Sequence, residues 1–186
     1  MFGTSGIRGP FGDVVDTGLA RQIGRALAVC GYDRVVVGRD GRETGPILAD
    51  SLVASAREHG TDIIRLGQVA TPTLARSVAW HDADAGVVVT ASHNPPADNG
   101  FKFWTPSGMA FDTAQRADLE DAITDGRGEA SAWESIGTER RVTESQSRHR
   151  AAIVDRSSKI SELSVVVDVG NGMGGVTVDA LRALGA

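Results

Sequence analysis

The run Thr90-Ala91-Ser92-His93-Asn94-Pro95-Pro96, followed by Asp98-Asn99-Gly100-Phe101-Lys102, gathers hydroxyl, imidazole, amide and amine groups into one short stretch. It follows 85–90, a continuous β-branched run that reads as a buried strand. Pro95 and Pro96 restrict the residues before them to extended backbone, so the loop is stiff. In open α/β sheets ligands gather beyond the carboxyl ends of strands. A stiff loop presenting the Ser92 hydroxyl there suits a nucleophile, which needs fixed geometry. The same residues also make good turn chemistry, and the two readings stand level on the residues alone. A serine-hydrolase reading is weaker. Ser92 and His93 are adjacent, so His93 is poorly placed as a triad base, and no G-x-S-x-G elbow is present.

Two further clusters suit anions. Phe2-Gly3-Thr4-Ser5-Gly6-Ile7-Arg8-Gly9 combines hydroxyls, glycines and a guanidinium, which favour phosphate; a frayed terminus is the plainer alternative. Gly38-Arg39-Asp40-Gly41-Arg42-Glu43-Thr44 is a charged loop directly after another buried run, 34–38. Alone it reads equally as a solvated βα loop with an ion pair.

The elements that must position these loops alternate. Asp16-Thr17 caps a helix whose Leu19, Ile23, Ala26, Leu27 and Cys30 share one face before Gly31 stops it. Thr44-Gly45-Pro46 opens a second helix running to about residue 59. Strands are expected at 61–66 and 101–105, and helices at 71–81 and from Asp112 to about 124, closed by Gly126. This is a three-layer α/β/α domain with a mixed, largely parallel sheet. It is expected over residues 1–140. Residues 126–146 read as polar surface connection, with a connecting helix near 148–158 inside a 141–160 linker. Residues 161–186 read as the first βα unit of a second similar domain: a strand at 163–169, a glycine turn, then a helix at 176–184. One βα unit cannot bury a core alone, so the chain is expected to be an N-terminal piece.

Composition narrows the classes. With 41% hydrophobic and 23% charged residues the chain can bury a core. A net charge of −5 argues against nucleic acid as partner. One cysteine permits no internal disulfide, and no Cys/His cluster has zinc spacing. Neither a membrane-span run nor a signal peptide is visible, which makes the cytoplasm the expected location. The oligomeric state stays open.

Phe-Gly-Thr-Ser-Gly-Ile-Arg-Gly, Gly-Arg-Asp-Gly-Arg, Thr-Ala-Ser-His-Asn-Pro-Pro with Asn-Gly-Phe-Lys, and Val-Val-Val-Asp-Val-Gly-Asn-Gly-Met-Gly-Gly, in that order, resemble the phosphohexomutase superfamily. Phosphoglucomutase, phosphomannomutase and phosphoglucosamine mutase are members. The resemblance implies interconversion of hexose 1- and 6-phosphates through a phosphoserine, Ser92, and a bisphosphate intermediate. It implies Arg8 and His93 as neighbouring electrostatic and proton-handling groups, and Lys102 as general acid/base. Thr4, Ser5, Arg39, Arg42 and Asn94 would contact substrate or phosphate. A glucose 1,6-bisphosphate-type activator and Mg²⁺ are implied too, the metal held by the phosphate on Ser92 and by an Asp-Gly-Asp-x-Asp-Arg loop. No such loop occurs in this sequence, nor do the family's sugar-selecting and distal phosphate loops. Little activity is therefore expected of the chain alone, and which hexose it would take is not readable.

Two alternatives remain beside this. One is a non-catalytic sugar-phosphate-binding module. The other is a dinucleotide site, suggested by Gly170-Asn171-Gly172-Met173-Gly174-Gly175; its confirming acidic residue about 20 positions on would fall past Ala186. One compositional fact supports Lys102. The 19 basic residues are 17 Arg and two Lys, Lys102 and Lys159. A lysine at the expected site suggests that a cation able to lose its proton is needed there.

Overall fold

The computed structural model describes residue 3 and residues 6–186. A six-stranded sheet is formed by β1 (Ile7–Pro10), β2 (Arg34–Arg39), β3 (Asp62–Gln68), β4 (Ala85–Val89), β5 (Asp98–Trp104) and β6 (Glu139–Arg141), in the order β1-β5-β4-β2-β3-β6. Strands β4, β2, β3 and β6 pair in parallel, while β5 runs antiparallel to β4 and to β1.

Side-chain alternation builds two cores from one sheet. Val35 and Val37 of β2, Ile63 of β3, and Val87 and Val89 of β4 face one layer. They meet α1 (Thr17–Val29), α2 (Gly45–Glu58) and α4 (Thr113–Asp125). Val36, Ile64 and Val88 face the other layer, against Leu74 and Val78 of α3 (Thr71–Trp80). The three-layer expectation therefore holds. Its helix boundaries follow from caps: Asp16 accepts the Leu19 N–H at 2.7 Å. Asp112 and Gln115 form a reciprocal capping box, and Gly126 ends α4 in the left-handed region.

Three expectations change. The polar stretch 126–146 is more than surface connection, because it carries β6 and places Val142 in the second core. Glu139 pairs with Arg65 of β3 at 2.9 Å, so this edge strand is charged rather than apolar. The connecting helix forms earlier, as α5 (Ser145–Val154), and packs on α3 with Ser145 and His149 buried. Last, the strand expected at 163–169 is absent. Among the described residues no neighbour supplies a ladder for it, and Val166 is 99% exposed. An isolated extended segment gains no inter-strand hydrogen bonds. The helix of that unit does form, as α6 (Gly175–Leu184), against α5.

The β1–β5 pair positions chemistry. Phe101 and Phe103 point into the first core, which leaves Lys102 on the opposite face. Ile7 is buried in the same core, so Arg8 shares the Lys102 face. Arg8 lies opposite Gly100, two residues from Lys102, a diagonal cross-strand neighbour. That approach depends on Gly100. A Cβ there would lie 2.3 Å from the Ile7 carbonyl oxygen and 2.7 Å from the Arg8 Cβ. Gly100→Ala should therefore push β1 off β5 and cost roughly 3 kcal/mol. Urea unfolding checks this; an unchanged midpoint would show that β1 carries no such constraint.

Candidate active site

The Ser92 loop leaves the buried end of β4, and its geometry starts from Ser92 itself. Ser92 has φ +58°, a left-handed conformation that costs a non-glycine residue about 1 kcal/mol. Such strain persists where surrounding contacts impose it. Here the contacts are visible. The Ser92 N–H donates to Thr90 Oγ1 at 2.9 Å, and the Thr90 hydroxyl donates to Asp40 Oδ2 at 2.6 Å. The Asn94 N–H closes a turn onto the Ala91 carbonyl at 3.1 Å. Ser92 and His93 are exposed at the tip.

Arg42 reaches this loop from the β2–α2 connection. Its Nε pairs with Asp40 Oδ2 at 3.2 Å. Its Nη1 donates to the carbonyls of Pro95 (2.6 Å) and Asp98 (2.8 Å), and its Nη2 to those of Ser92 (3.1 Å) and Asn94 (2.7 Å). The guanidinium of Arg42, for which the resemblance implies a phosphate contact, is engaged here by protein groups. The ion pair open on the sequence alone is present between Arg42 and Asp40. Arg39 donates to the Asp40 carbonyl at 2.9 Å and does not line the cleft beside Ser92.

Asn94 is held at both ends of its amide. Its Nδ2 donates to Asp98 Oδ2 at 2.8 Å, and its Oδ1 accepts from Arg8 Nη1 at 3.4 Å. Arg8 thus stands beside the loop, with Lys102 on the same face. Burial, first, and the positive charge of Arg8, second, press the Lys102 pKa below the ordinary lysine range, and Asp40 opposes them. His93 Nδ1 sits 3.4 Å from Ser92 Oγ, at the outer limit of a hydrogen bond. The serine is therefore not activated as in a triad. Thr4 and Ser5 lie outside the described residues.

A cleft of about 760 Å³ runs from Ser92, His93 and Asn94 to the turn Gly170–Gly174, which faces the loop from across the opening. Four contributors escaped the sequence reading. Thr90 and Asp40 sat inside quoted motifs without any sign of their mutual bond. Buried Asn99 donates to Thr44 Oγ1 at 2.8 Å and ties β5 to the start of α2. His149 lines the cleft from α5, and burial with Arg76 nearby holds its pKa down. No local signal marks it, since α5 shows no distinct apolar face.

The residues present do not make an Mg²⁺ site by themselves. Among the described residues no three His, Cys, Asp or Glu side chains converge on a point. Asp40, the carboxylate beside the loop, is already bonded through both oxygens to Arg42 and through one to Thr90. Octahedral Mg²⁺ normally recruits carboxylates that are free to ligate.

Two measurements probe this arrangement. Thr90→Val removes the donor to Asp40 and the acceptor of the Ser92 N–H, and should cost about 1–3 kcal/mol on urea unfolding, with Thr90→Ser near wild type. Equal stability of the valine variant would break the Asp40–Thr90–Ser92 chain. With two lysines, a ¹³C-lysine sample gives two side-chain signals, and the Lys102 signal should titrate below the usual range. Arg8→Ala should move it upward, though not fully, because burial is the larger cause. The sign for stability follows: the folded state disfavours the ammonium, so Lys102 destabilises below its folded pKa. That penalty fades as pH rises through the folded value toward the unfolded one.

Residues 1–129 match the family model described as phosphoglucomutase/phosphomannomutase, alpha/beta/alpha domain I. A "Probable phosphoglucosamine mutase" of Thermococcus kodakarensis is 37% identical over 183 residues, covering 97% of this chain and 40% of that protein. One of Methanocella arvoryzae is 41% identical, covering 100% of this chain and 41% of that protein. The crystal structure of a phosphoglucomutase/phosphomannomutase family protein from Burkholderia thailandensis superposes with a TM-score of 0.83 at 36% identity. It covers 99% of this chain and 42% of that one. The chain thus spans about two-fifths of the length of the curated relatives it matches. On the match of 129 of its residues, the chain belongs to the phosphoglucomutase/phosphomannomutase family.

Proposed function

We propose that Ser92 is a phosphoryl carrier and that the chain takes part in phosphohexomutase chemistry, interconverting hexose 1- and 6-phosphates through a bisphosphate. The observation that carries this reading is the exposed Ser92 hydroxyl, held in a strained turn at the end of β4, with the His93 imidazole 3.4 Å away at the outer limit of a hydrogen bond. Phosphoryl transfer depends on positioning and charge stabilisation more than on a strongly activated nucleophile.

In the transfer step the phosphate on Ser92 passes to a free hydroxyl of a hexose phosphate. The sugar O–P bond forms, the Ser92 Oγ–P bond breaks, and the sugar hydroxyl releases its proton as Oγ becomes able to accept one. Lys102, whose surroundings favour its neutral form, is assigned the proton exchange. Arg8 and His93 are assigned the charge around the phosphoryl group, with Asn94 holding Arg8 at the loop. Thr4 and Ser5 remain expected phosphate contacts, as does Arg39.

Mg²⁺ and a hexose 1,6-bisphosphate belong to this reaction as metal and activator. Among the described residues no carboxylates converge into a site for the metal, and none of the steps above is routed through it. Residues 1–140 are assigned to the phosphoserine domain, and 161–186 to the opening of a second domain. Sugar phosphates are metabolites of the cytoplasm, which is the location proposed. No helix among the described residues is long and apolar enough to cross a membrane.

Incubating the chain with glucose 1,6-bisphosphate and Mg²⁺ should add ~80 Da, one phosphoryl group, mapped by fragmentation to Ser92 and missing from Ser92→Ala. Turnover of hexose 1-phosphate by the chain alone should be far below ordinary enzyme rates of about 10 s⁻¹. Sugar-phosphate binding with no modification of Ser92 would overturn the carrier role and favour a binding module.

A further inference from the structure

The geometry points to Arg42 as the positioning residue of the Ser92 loop: it acts on the reaction through the loop backbone and is not a ligand of the sugar phosphate. This rests on the carrier role proposed for Ser92, which it deepens.

A guanidinium has five N–H donors in a planar fork and no acceptor. All five have partners here: Nε on Asp40, two on Nη1 to Pro95 and Asp98, two on Nη2 to Ser92 and Asn94. Four of those partners are carbonyls, three in the loop that carries the nucleophile and one at Asp98, the first residue of β5. None remains for a phosphate, and the Arg42 side chain is only 12% exposed although the loop it holds is open to solvent. The residue sits between two supports. Its own backbone N–H bonds to Asp40 Oδ1 at 3.0 Å, so Asp40 grips Arg42 by backbone and side chain together. Through Thr90 the same carboxylate fixes the Ser92 N–H. One ion pair therefore holds the loop from both ends: Asp40 the entry, Arg42 the exit.

The arrangement has a chemical reason. Carbonyls that leave a sheet edge lose their ladder partners; the Asn94 and Asp98 N–H groups serve Ala91 and Pro95, but Pro95 and Pro96 have no N–H to offer the rest. A lysine at this place could not replace the fork, since its three donors radiate from one point. The functional consequence is a Ser92 hydroxyl preset before any ligand arrives. Transfer rates are sensitive to such placement, a misplacement near 1 Å costing about 100-fold.

The test uses the full chain and two readouts. In Arg42→Ala the rate of Ser92 modification by glucose 1,6-bisphosphate should fall about 100-fold. The bisphosphate concentration giving half-maximal rate should change less than about 2-fold, the signature of lost positioning rather than lost binding. Amide hydrogen exchange over 91–98 should quicken about 10-fold or more while β2, β3 and the core of β4 stay protected. Arg42→Lys should behave like Arg42→Ala, and millimolar methylguanidinium should restore both readouts in Arg42→Ala.

Weakened half-saturation at unchanged rate would make Arg42 a phosphate ligand and overturn the inference. So would unchanged exchange at 91–98, or exchange quickened equally throughout the sheet. If the wild-type chain never accepts a phosphoryl group, the carrier reading fails on its own, and the exchange data still decide whether Arg42 holds the loop.

Discussion

Everything around Ser92 depends on how the backbone carbonyls beyond β4 find donors. Within the sheet each carbonyl has a neighbouring strand; beyond Val89 the chain turns away from β4's ladder, and the carbonyls of Ser92, Asn94, Pro95 and Asp98 look to other donors, the Asp98 N–H for Pro95 among them. Water could serve them, but water leaves a loop free to move. A single buried guanidinium serves all four at once and ties them to β2 through Asp40. The loop that carries exposed Ser92 is thereby tied to β2 at several points. The left-handed φ of Ser92 follows as a result of the anchoring on both sides.

The same constraint orders the neighbouring elements. β5 has to return beside β4 in the antiparallel sense, because the loop is too short for a crossover. That return places Lys102 on the face away from the large core, and the alternation of β1 sets Arg8 on the same face. Gly100 allows the two strands to approach closely enough for this to happen. A fixed cation and an ionisable amine are thus set on one face by pairing rules and one missing side chain. Sequence separation matters little: Arg8 and Asn94 touch across 86 positions.

How much was legible varies with the kind of signal. The helices α1 and α4 were readable to within a residue or so, since Asp16, Asp112, Gly31 and Gly126 act locally through caps. Strands β2 and β4 were readable because parallel central strands are apolar on both faces. β1 and β6 were not. Ile7–Pro10 offers one buried apolar side chain, and Glu139–Arg141 none, since each lies at an edge where pairing with a neighbour decides the structure. The segment 163–169 shows the reverse error: its valines have the composition of a strand, yet composition cannot supply the partner a strand requires. At the site, motif residues were found by type, while their duties were not. The contacts of Arg42 were not legible, because nothing in the sequence indicates which acceptors lie near a guanidinium.

The distinction between Arg42 and Lys102 also explains the unequal use of the two cations. Of 19 basic residues only two are lysine, so arginine is this chain's default positive group. Arginine suits Arg42, where a permanent charge and a rigid fork hold a carboxylate and four carbonyls. It suits Arg8 as well, a fixed charge next to a loop expected to bear phosphate. It would not suit position 102, where burial and the Arg8 charge work against a proton. An arginine there would stay charged against both, and would meet a second guanidinium on the same face without being able to relieve the repulsion. A lysine can relieve it by losing its proton. Burial first and the Arg8 charge second thereby press the Lys102 pKa down, and the scarcity of lysine elsewhere makes that one position chemically distinct.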